Sequence, residues 1–230
     1  MRVARMETIA VVCLALASGC ASPGKDDKAR DFEVFMEDGS LEEVELSDDA
    51  LPTLTRAFDR ERIGARFAWG SEVSRGYFHV FSEDWLNPPN SKVMYEVNGV
   101  GGGAMGAPVV GGSDGEVQFI IPWRADLSIA VGSSTSNVAD ADLVFAELHG
   151  DVGFGLDWKG LRPSAGLALS SISGVIVLDN DAFDDVGIEG LNSGVFFDLK
   201  YKHPEYAAYA HLRVLSGDYD STVLGVGFKF

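Results

Sequence analysis

The stretch that decides the fold is VQFIIPWRADLSIAV, residues 117–131. Starting from Val117, every second residue of this stretch is apolar, whereas the positions between them include Gln118, Arg124 and Asp126. Successive side chains of a β-strand point to opposite sides, so alternation with period two is typical of a strand with two different faces. The stretch therefore predicts a long strand with one apolar face and one charged face.

The same alternation recurs along the rest of the chain. It appears at residues 63–69, 144–158, 161–169, 195–201, 206–214 and 224–230. Many such segments joined by turns predict an all-β fold, a closed antiparallel up-and-down barrel. We expect this barrel to span residues 62–230 with eight strands, of which residues 62–81 form one long bent strand. Ten strands, reached by adding one hairpin, are the alternative.

Two kinds of barrel fit this alternation. A soluble, lipocalin-like barrel buries its apolar face and can bind an apolar ligand inside, whereas a transmembrane barrel turns that face to lipid. The predicted strands exceed the 9–11 residues that a tilted strand needs to cross a bilayer. Aromatic residues also lie near the predicted strand ends, as in an interfacial girdle: Trp158, Tyr201, Tyr206, Phe228 and Phe230. Both features favour the transmembrane barrel.

The last five residues add a family resemblance. VGFKF, residues 226–230, resembles the C-terminal strand signature of bacterial outer-membrane barrels, and residues 62–230 are similar in size and rhythm to the eight-stranded OmpA, OmpX and OmpW kinds. The resemblance implies an outer-membrane location surrounded by lipid and lipopolysaccharide. It also implies recognition by the barrel-assembly machinery through Phe228 and Phe230.

The N-terminus indicates export. Arg2 and Arg5 precede a short apolar run, and residues 1–20 fit a signal peptide. Its end, Ala17-Ser18-Gly19-Cys20, resembles the lipobox of bacterial lipoproteins, which implies lipidation of Cys20. Cleavage after Ala21, as in an ordinary signal peptide, is the alternative.

Residues 21–61 are rich in acidic side chains, and we interpret them as a tether or N-terminal extension outside the barrel. Within them, Asp38-Gly39 could turn a hairpin, or Ser40 with Glu43 could cap a short helix. The net charge of −17 argues against nucleic acid as a partner, because a polyanion would be repelled.

The charged face of the predicted strands supplies the candidate site. We expect these side chains in the lumen: Arg66, Glu96, Arg124, Asp126, Glu147, Asp151, Arg162, Asp198, Lys200, His211, Arg213 and Lys229. An eight-stranded barrel is about wide enough for side chains to fill. Opposite charges in that space should pair, so the set predicts a structural ion-pair core rather than a selective pore.

No catalytic or metal-binding motif stands out. His79, His149 and His211 lack the spacing of a metal site, and the acidic loop at residues 178–189 lacks the pattern of a calcium loop. We therefore predict no enzyme activity, no cofactor and no metal. The predicted role is non-enzymatic, in envelope structure, surface interaction or small-solute passage, with a lipid-anchored soluble barrel or a lipid-modifying enzyme as alternatives. Oligomeric state stays open.

Overall fold

The computed structural model describes residues 29–48, 51–87, 92–112, 117–135, 141–178, 185–203 and 207–230. The predicted signal peptide, Cys20 and most of the acidic loop after residue 178 lie outside these ranges. Across the described residues no helix is long and apolar enough to span a membrane.

Within the described ranges the chain forms twelve strands. They are β1 (Ala29–Asp48), β2 (Leu51–Gly70), β3 (Arg75–Asn87), β4 (Lys92–Gly106), β5 (Val109–Gly112), β6 (Val117–Ile120), β7 (Trp123–Ser134), β8 (Ala141–Trp158), β9 (Leu161–Leu178), β10 (Val186–Lys202), β11 (Ala208–Gly217) and β12 (Tyr219–Lys229). Neighbouring strands pair antiparallel, and β12 pairs with β1, so the sheet closes on itself. The all-β closed barrel is therefore confirmed, with ten strands in the ring, the alternative count.

Residues 117–131 form β6 and β7, which lie one after the other along the same neighbouring strand of the barrel. Phe119 of β6 pairs with Leu156, and Trp123 of β7 pairs with Val152 further along the same strand, β8. The two strands are separated at Pro122, which has no backbone N–H to donate to a ladder. Strand β5 continues from β4 and pairs with β6, so a short hairpin extends the wall at one end.

The N-terminal boundary predicted at residue 62 is wrong. Residues 29–48 and 51–61 belong to β1 and β2, which are 20 residues long each and lie inside the ring. Gly39 pairs with Arg60 on one side and Ser221 on the other, so neither the predicted hairpin turn nor the helix cap exists there. The backbone ladder on both sides outweighs the local turn signal.

The predicted single strand over residues 62–81 is also wrong, and this adds to the strand count. A turn at residues 71–74 separates β2 from β3, and the amide of Ser71 donates to the carbonyl of Ser74 at 3.2 Å. Gly70 precedes the turn with φ of 125°, a conformation that favours glycine.

The glycines of β4 serve packing. A Cβ at Gly99 would lie 2.2 Å from Cζ of Phe81, and one at Gly101 would lie 2.2 Å from Nε2 of His79. Both glycines leave room for rings that enter the lumen from β3.

The outer face of the barrel carries a continuous apolar band. Phe154 is 78% exposed, Leu191 75% and Leu167 65%. These outward positions are the apolar ones of the sequence alternation, so the predicted orientation of the two faces holds here. We call the end that carries Ala29 and Phe230 the terminal end, and the opposite end the loop end.

Towards the loop end the two faces exchange character. On the outside, four neighbouring strands carry directly opposed acidic residues, Asp38, Glu61, Asp84 and Glu96, which we call the acidic collar. On the inside, buried apolar and aromatic side chains form what we call the upper core: Leu41, Val44, Phe58, Trp85, Tyr95, Val97, Leu143, Phe145, Ile172, Ile176, Ile188 and Tyr219. The loop end is thus built as a soluble barrel, and the terminal end has the inverse pattern.

Candidate functional site

Below the upper core the lumen is charged. Inward-facing positions there include nine of the ten predicted core residues: Arg66, Arg124, Asp126, Glu147, Asp151, Arg162, Asp198, Lys200 and Arg213. His211 and Lys229 join them.

The prediction for Glu96 is wrong. Its neighbours Tyr95 and Val97 are buried in the upper core, so alternation along β4 turns Glu96 outward, into the acidic collar. Glu96 lies above the height at which the faces exchange, and there the inward positions are apolar.

The layer directly beneath the upper core is an arginine–glutamate cluster formed by Arg60, Arg62, Glu83 and Glu147. Nε of Arg60 donates to Glu83 at 2.6 Å and its Nη2 donates to Glu147 at 3.0 Å. Arg62 repeats the pattern, with Nε to Glu83 at 2.6 Å and Nη2 to Glu147 at 2.9 Å. Each carboxylate therefore bridges two guanidinium groups, and the side chain of Glu83 is fully buried.

Sequence reasoning missed Arg60, Arg62 and Glu83. Arg60 was assigned to the acidic extension, although Arg60, Arg62, Gly64 and Arg66 already alternate with apolar residues from Ile63 onward. Following this alternation towards the N-terminus, past residue 62, would have identified β2. Glu83 pairs with Arg62 across β2 and β3, a register that no single strand reveals.

The next layer contains three histidines, each beside a carboxylate. Asp151 accepts from Arg124 at 3.0 Å and from Arg213 at 2.9 Å, and lies 3.2 Å from Nε2 of His149. His211 lies between Glu33 and Asp198, at 3.1 and 3.0 Å. His79 lies 3.2 Å from Asp126. Arg213 also lies 3.6 Å from Asp198, so the groups around Asp151 and His211 form one network that holds β1, β7, β8, β10 and β11 together.

Two cavities lie among these charges. One, of about 50 Å³, is bounded by His79, His149 and His211 at mid-height. The other, of about 120 Å³, lies nearer the terminal end and is bounded partly by Trp123 and Pro122. Polar cavities of this size hold several waters. Above them Val44, Trp85, Leu143 and Phe145 are at most 1% exposed, so the charged part of the lumen is closed towards the loop end by the upper core.

At the terminal end, the carboxylate of one residue links several strands of the barrel. Glu72, in the turn between β2 and β3, accepts from Arg162 at 2.5 Å and from Lys202 and Lys229 at 3.2 Å each. Its partners Arg162 and Lys202 come from β9 and β10, on the other side of the ring, and Lys229 comes from β12, which is separated from β2 only by β1. Burial alone would raise the pKa of Glu72, but the hydrogen bond and charge of Arg162, together with Lys202 and Lys229, hold that pKa well below its usual range.

The stabilisation that these ion pairs of Glu72 provide should depend on pH in one direction. Because the folded-state pKa of Glu72 is depressed, its stabilising effect is present above the unfolded-state pKa and is lost as pH falls through the folded value. We expect Glu72→Gln to lower the free energy of unfolding at pH 7 and to lower it less as the pH falls below about 4. Urea unfolding of both proteins in detergent at several pH values measures the difference. A gap that widens at acid pH would contradict the assignment.

Among the described residues no group of three His, Cys, Asp or Glu side chains could hold a metal ion. Phe228 points outward and is 54% exposed, and Phe230 exchanges backbone hydrogen bonds with Arg30. Their predicted role in assembly stays a prediction.

Comparison with known proteins finds no matching family model and no matching curated protein. Solved structures do match. Neisserial surface protein A has a TM-score of 0.40 and 13% identity over 86% of this chain and 97% of its own. The β domain of the Bordetella autotransporter BrkA has 0.47 and 13%, over 89% and 99%. The translocator domain of NalP from Neisseria meningitidis has 0.45 and 8%, over 100% and 96%.

The surface of the barrel defines its class. A closed ring leaves no unpaired strand edge, which is what a hydrocarbon layer requires of a β structure. The apolar band faces outward while ion pairs fill the inside, the arrangement of barrels that span bacterial outer membranes. The chain is thus an outer-membrane β-barrel. The alternative of a soluble lipocalin-like barrel fails, because the apolar face is outside over the terminal half.

Proposed function

We propose that this protein is a closed, non-conducting outer-membrane barrel with a non-enzymatic role in envelope structure and surface interaction. Of the roles that the sequence left open, passage of small solutes is the one that the lumen disfavours. The observation that carries the proposal is the upper core, which fills the loop end with buried side chains such as Trp85 and Phe145. The arginine–glutamate cluster beneath it adds a second obstruction.

We further propose that the terminal end faces the periplasm and the loop end faces outward. Strands β1, β2, β8, β9 and β10 are 17–20 residues long, well beyond the 9–11 that cross a bilayer. The excess length lies at the loop end, where the outer face becomes polar at Asp38, Glu61 and Asp142. A wet, projecting end suits the extracellular side.

This orientation gives the protein its proposed partners. Outer-membrane lipid, with lipopolysaccharide in the outer leaflet, surrounds the apolar band, and the acidic collar lies just beyond it. The barrel-assembly machinery would engage β12 from the periplasm, where Phe228 is exposed. The predicted lipidation of Cys20 would add an anchor at the same side of the membrane.

Planar-bilayer recording tests the closed lumen. We expect the folded wild-type protein to give no stable conductance steps under conditions where a general porin gives them. Replacing only the upper core by Phe58→Ala, Trp85→Ala and Phe145→Ala together should not by itself produce conductance, because the arginine–glutamate cluster still closes the lumen; heat-modifiable gel migration checks that this variant is folded. Stable, large steps from the wild type would refute the proposal.

A further inference from the structure

The larger lumen cavity is unusually rich in cations. Three carboxylates line it, Glu33, Asp151 and Asp198, against six cationic side chains: Arg66, Arg75, Arg124, Arg162, Lys200 and Arg213. The whole chain has 18 Lys and Arg residues and a net charge of −17. A third of its cations therefore line one cavity of about 120 Å³, a concentration that the composition of the chain does not explain.

These cations are incompletely satisfied by the protein. Nε of Arg66, Arg75 and Arg213 is buried without a hydrogen-bond partner in the described ranges. The side chain of Arg213 is only 5% exposed. Each of these arginines has a carboxylate partner for part of its guanidinium group, but a buried donor left without an acceptor still costs free energy. A small anion in the cavity would accept from these unpartnered donors.

Lys200 is the cation least committed to the ion-pair network. Its ammonium lies 3.6 Å from the centre of the Tyr209 ring, and it makes no salt bridge with any carboxylate that the structure describes. Replacing it should therefore leave the ion pairs of the barrel intact, which makes it the best residue for a test.

We propose that this cavity binds a small phosphate-class oxyanion that enters from the terminal end. Guanidinium groups match the oxygen geometry of phosphate, and the volume suits a group of that size rather than a chain-like ligand. Trp123, the first residue of β7, and Pro122 before it border the cavity at the terminal end, whereas the upper core closes the other direction. The phosphate could be a free ion or the head of a larger molecule. Binding does not require that the barrel be non-conducting.

Titration of the full-length protein, folded in a neutral detergent and a phosphate-free buffer at pH 7 and low ionic strength, tests the proposal. We expect saturable, single-site binding of inorganic phosphate by calorimetry, with a change in tryptophan fluorescence that Trp123→Phe removes. Glycerol phosphate in a parallel titration separates the two sources: binding of both ligands indicates a site open to a head group, and binding of inorganic phosphate alone indicates a free ion.

Matched variants decide whether the site is the one proposed. Lys200→Gln should weaken binding about tenfold, Lys200→Arg should retain it, and Lys92→Gln should behave as wild type, because Lys92 is exposed at the loop end. Folding of each variant is checked by heat-modifiable gel migration. If Lys200→Gln does not fold, Lys200→Arg and the Trp123→Phe signal still test the location. Absence of saturable binding by the folded wild type, or unchanged affinity in a folded Lys200→Gln, would overturn the proposal.

Discussion

Replacing Glu83 with alanine is expected to lower the free energy of unfolding by about 3–5 kcal/mol. Glu83 bridges Arg60 and Arg62, both at 2.6 Å, and also accepts from the indole of Trp85. Removing it leaves two guanidinium groups in a buried layer, balanced by Glu147 and, at 3.6 Å from Arg62, by Glu37. Uncompensated buried charge, rather than the loss of the pair itself, produces the large effect.

Urea unfolding in detergent, followed by tryptophan fluorescence, measures this change. The control is Glu189→Ala, because Glu189 is exposed and lies directly opposite Glu45 across β10 and β1. Like charges in that position oppose one another, so the control should be neutral or slightly stabilising. If Glu83→Ala cost no more than Glu189→Ala, the arginine–glutamate cluster would not be the buried layer described above.

The second large effect is expected from Phe154→Arg, on the opposite face of the wall. Phe154 is the most exposed of the large apolar side chains described, at 78%. If the band faces lipid, an arginine there costs about 2–4 kcal/mol near the middle of the bilayer and should slow or prevent insertion. The yield of the heat-modifiable, folded form in lipid vesicles measures the effect.

Ser173→Arg supplies the control for this variant. Ser173 is also exposed and outward, on β9, but it lies nearer the loop end and directly opposite Glu189 of β10. Arginine at that position can pair with the carboxylate of Glu189 and should leave the folded yield unchanged. Equal yields for Phe154→Arg and Ser173→Arg would mean that the band does not contact hydrocarbon.

The sequence predicts those parts of the fold in which apolar and polar residues alternate along a single strand. Residues 117–131 and 144–158 show which face of their strands is apolar without reference to any neighbour. The boundary at residue 62 failed for a different reason: in β1, Asp31 and Glu33 alternate with Phe32 and Val34, but the acidic composition of the segment suggested a solvated tether. Composition averages over the two faces of a strand, so it hides the period.

The site was predictable only below the height at which the faces exchange. Glu147 and Asp151 lie there, and charge correctly indicated the inward face. Above that height the rule reverses, and Glu96 points outward while Tyr95 and Val97 point inward. Where the reversal falls depends on the stagger of strands around the ring, which only the assembled register shows.

The most direct test of the outward-facing apolar band is whether the wild-type chain folds in plain buffer or only with detergent or lipid. A barrel with its apolar band outside should acquire β circular dichroism and heat-modifiable gel migration only when detergent micelles or lipid vesicles are supplied, and should aggregate without them. A stable monomer with full β structure in plain buffer would contradict the account, because residues such as Phe154, Leu167 and Leu191 would then have to lie inside.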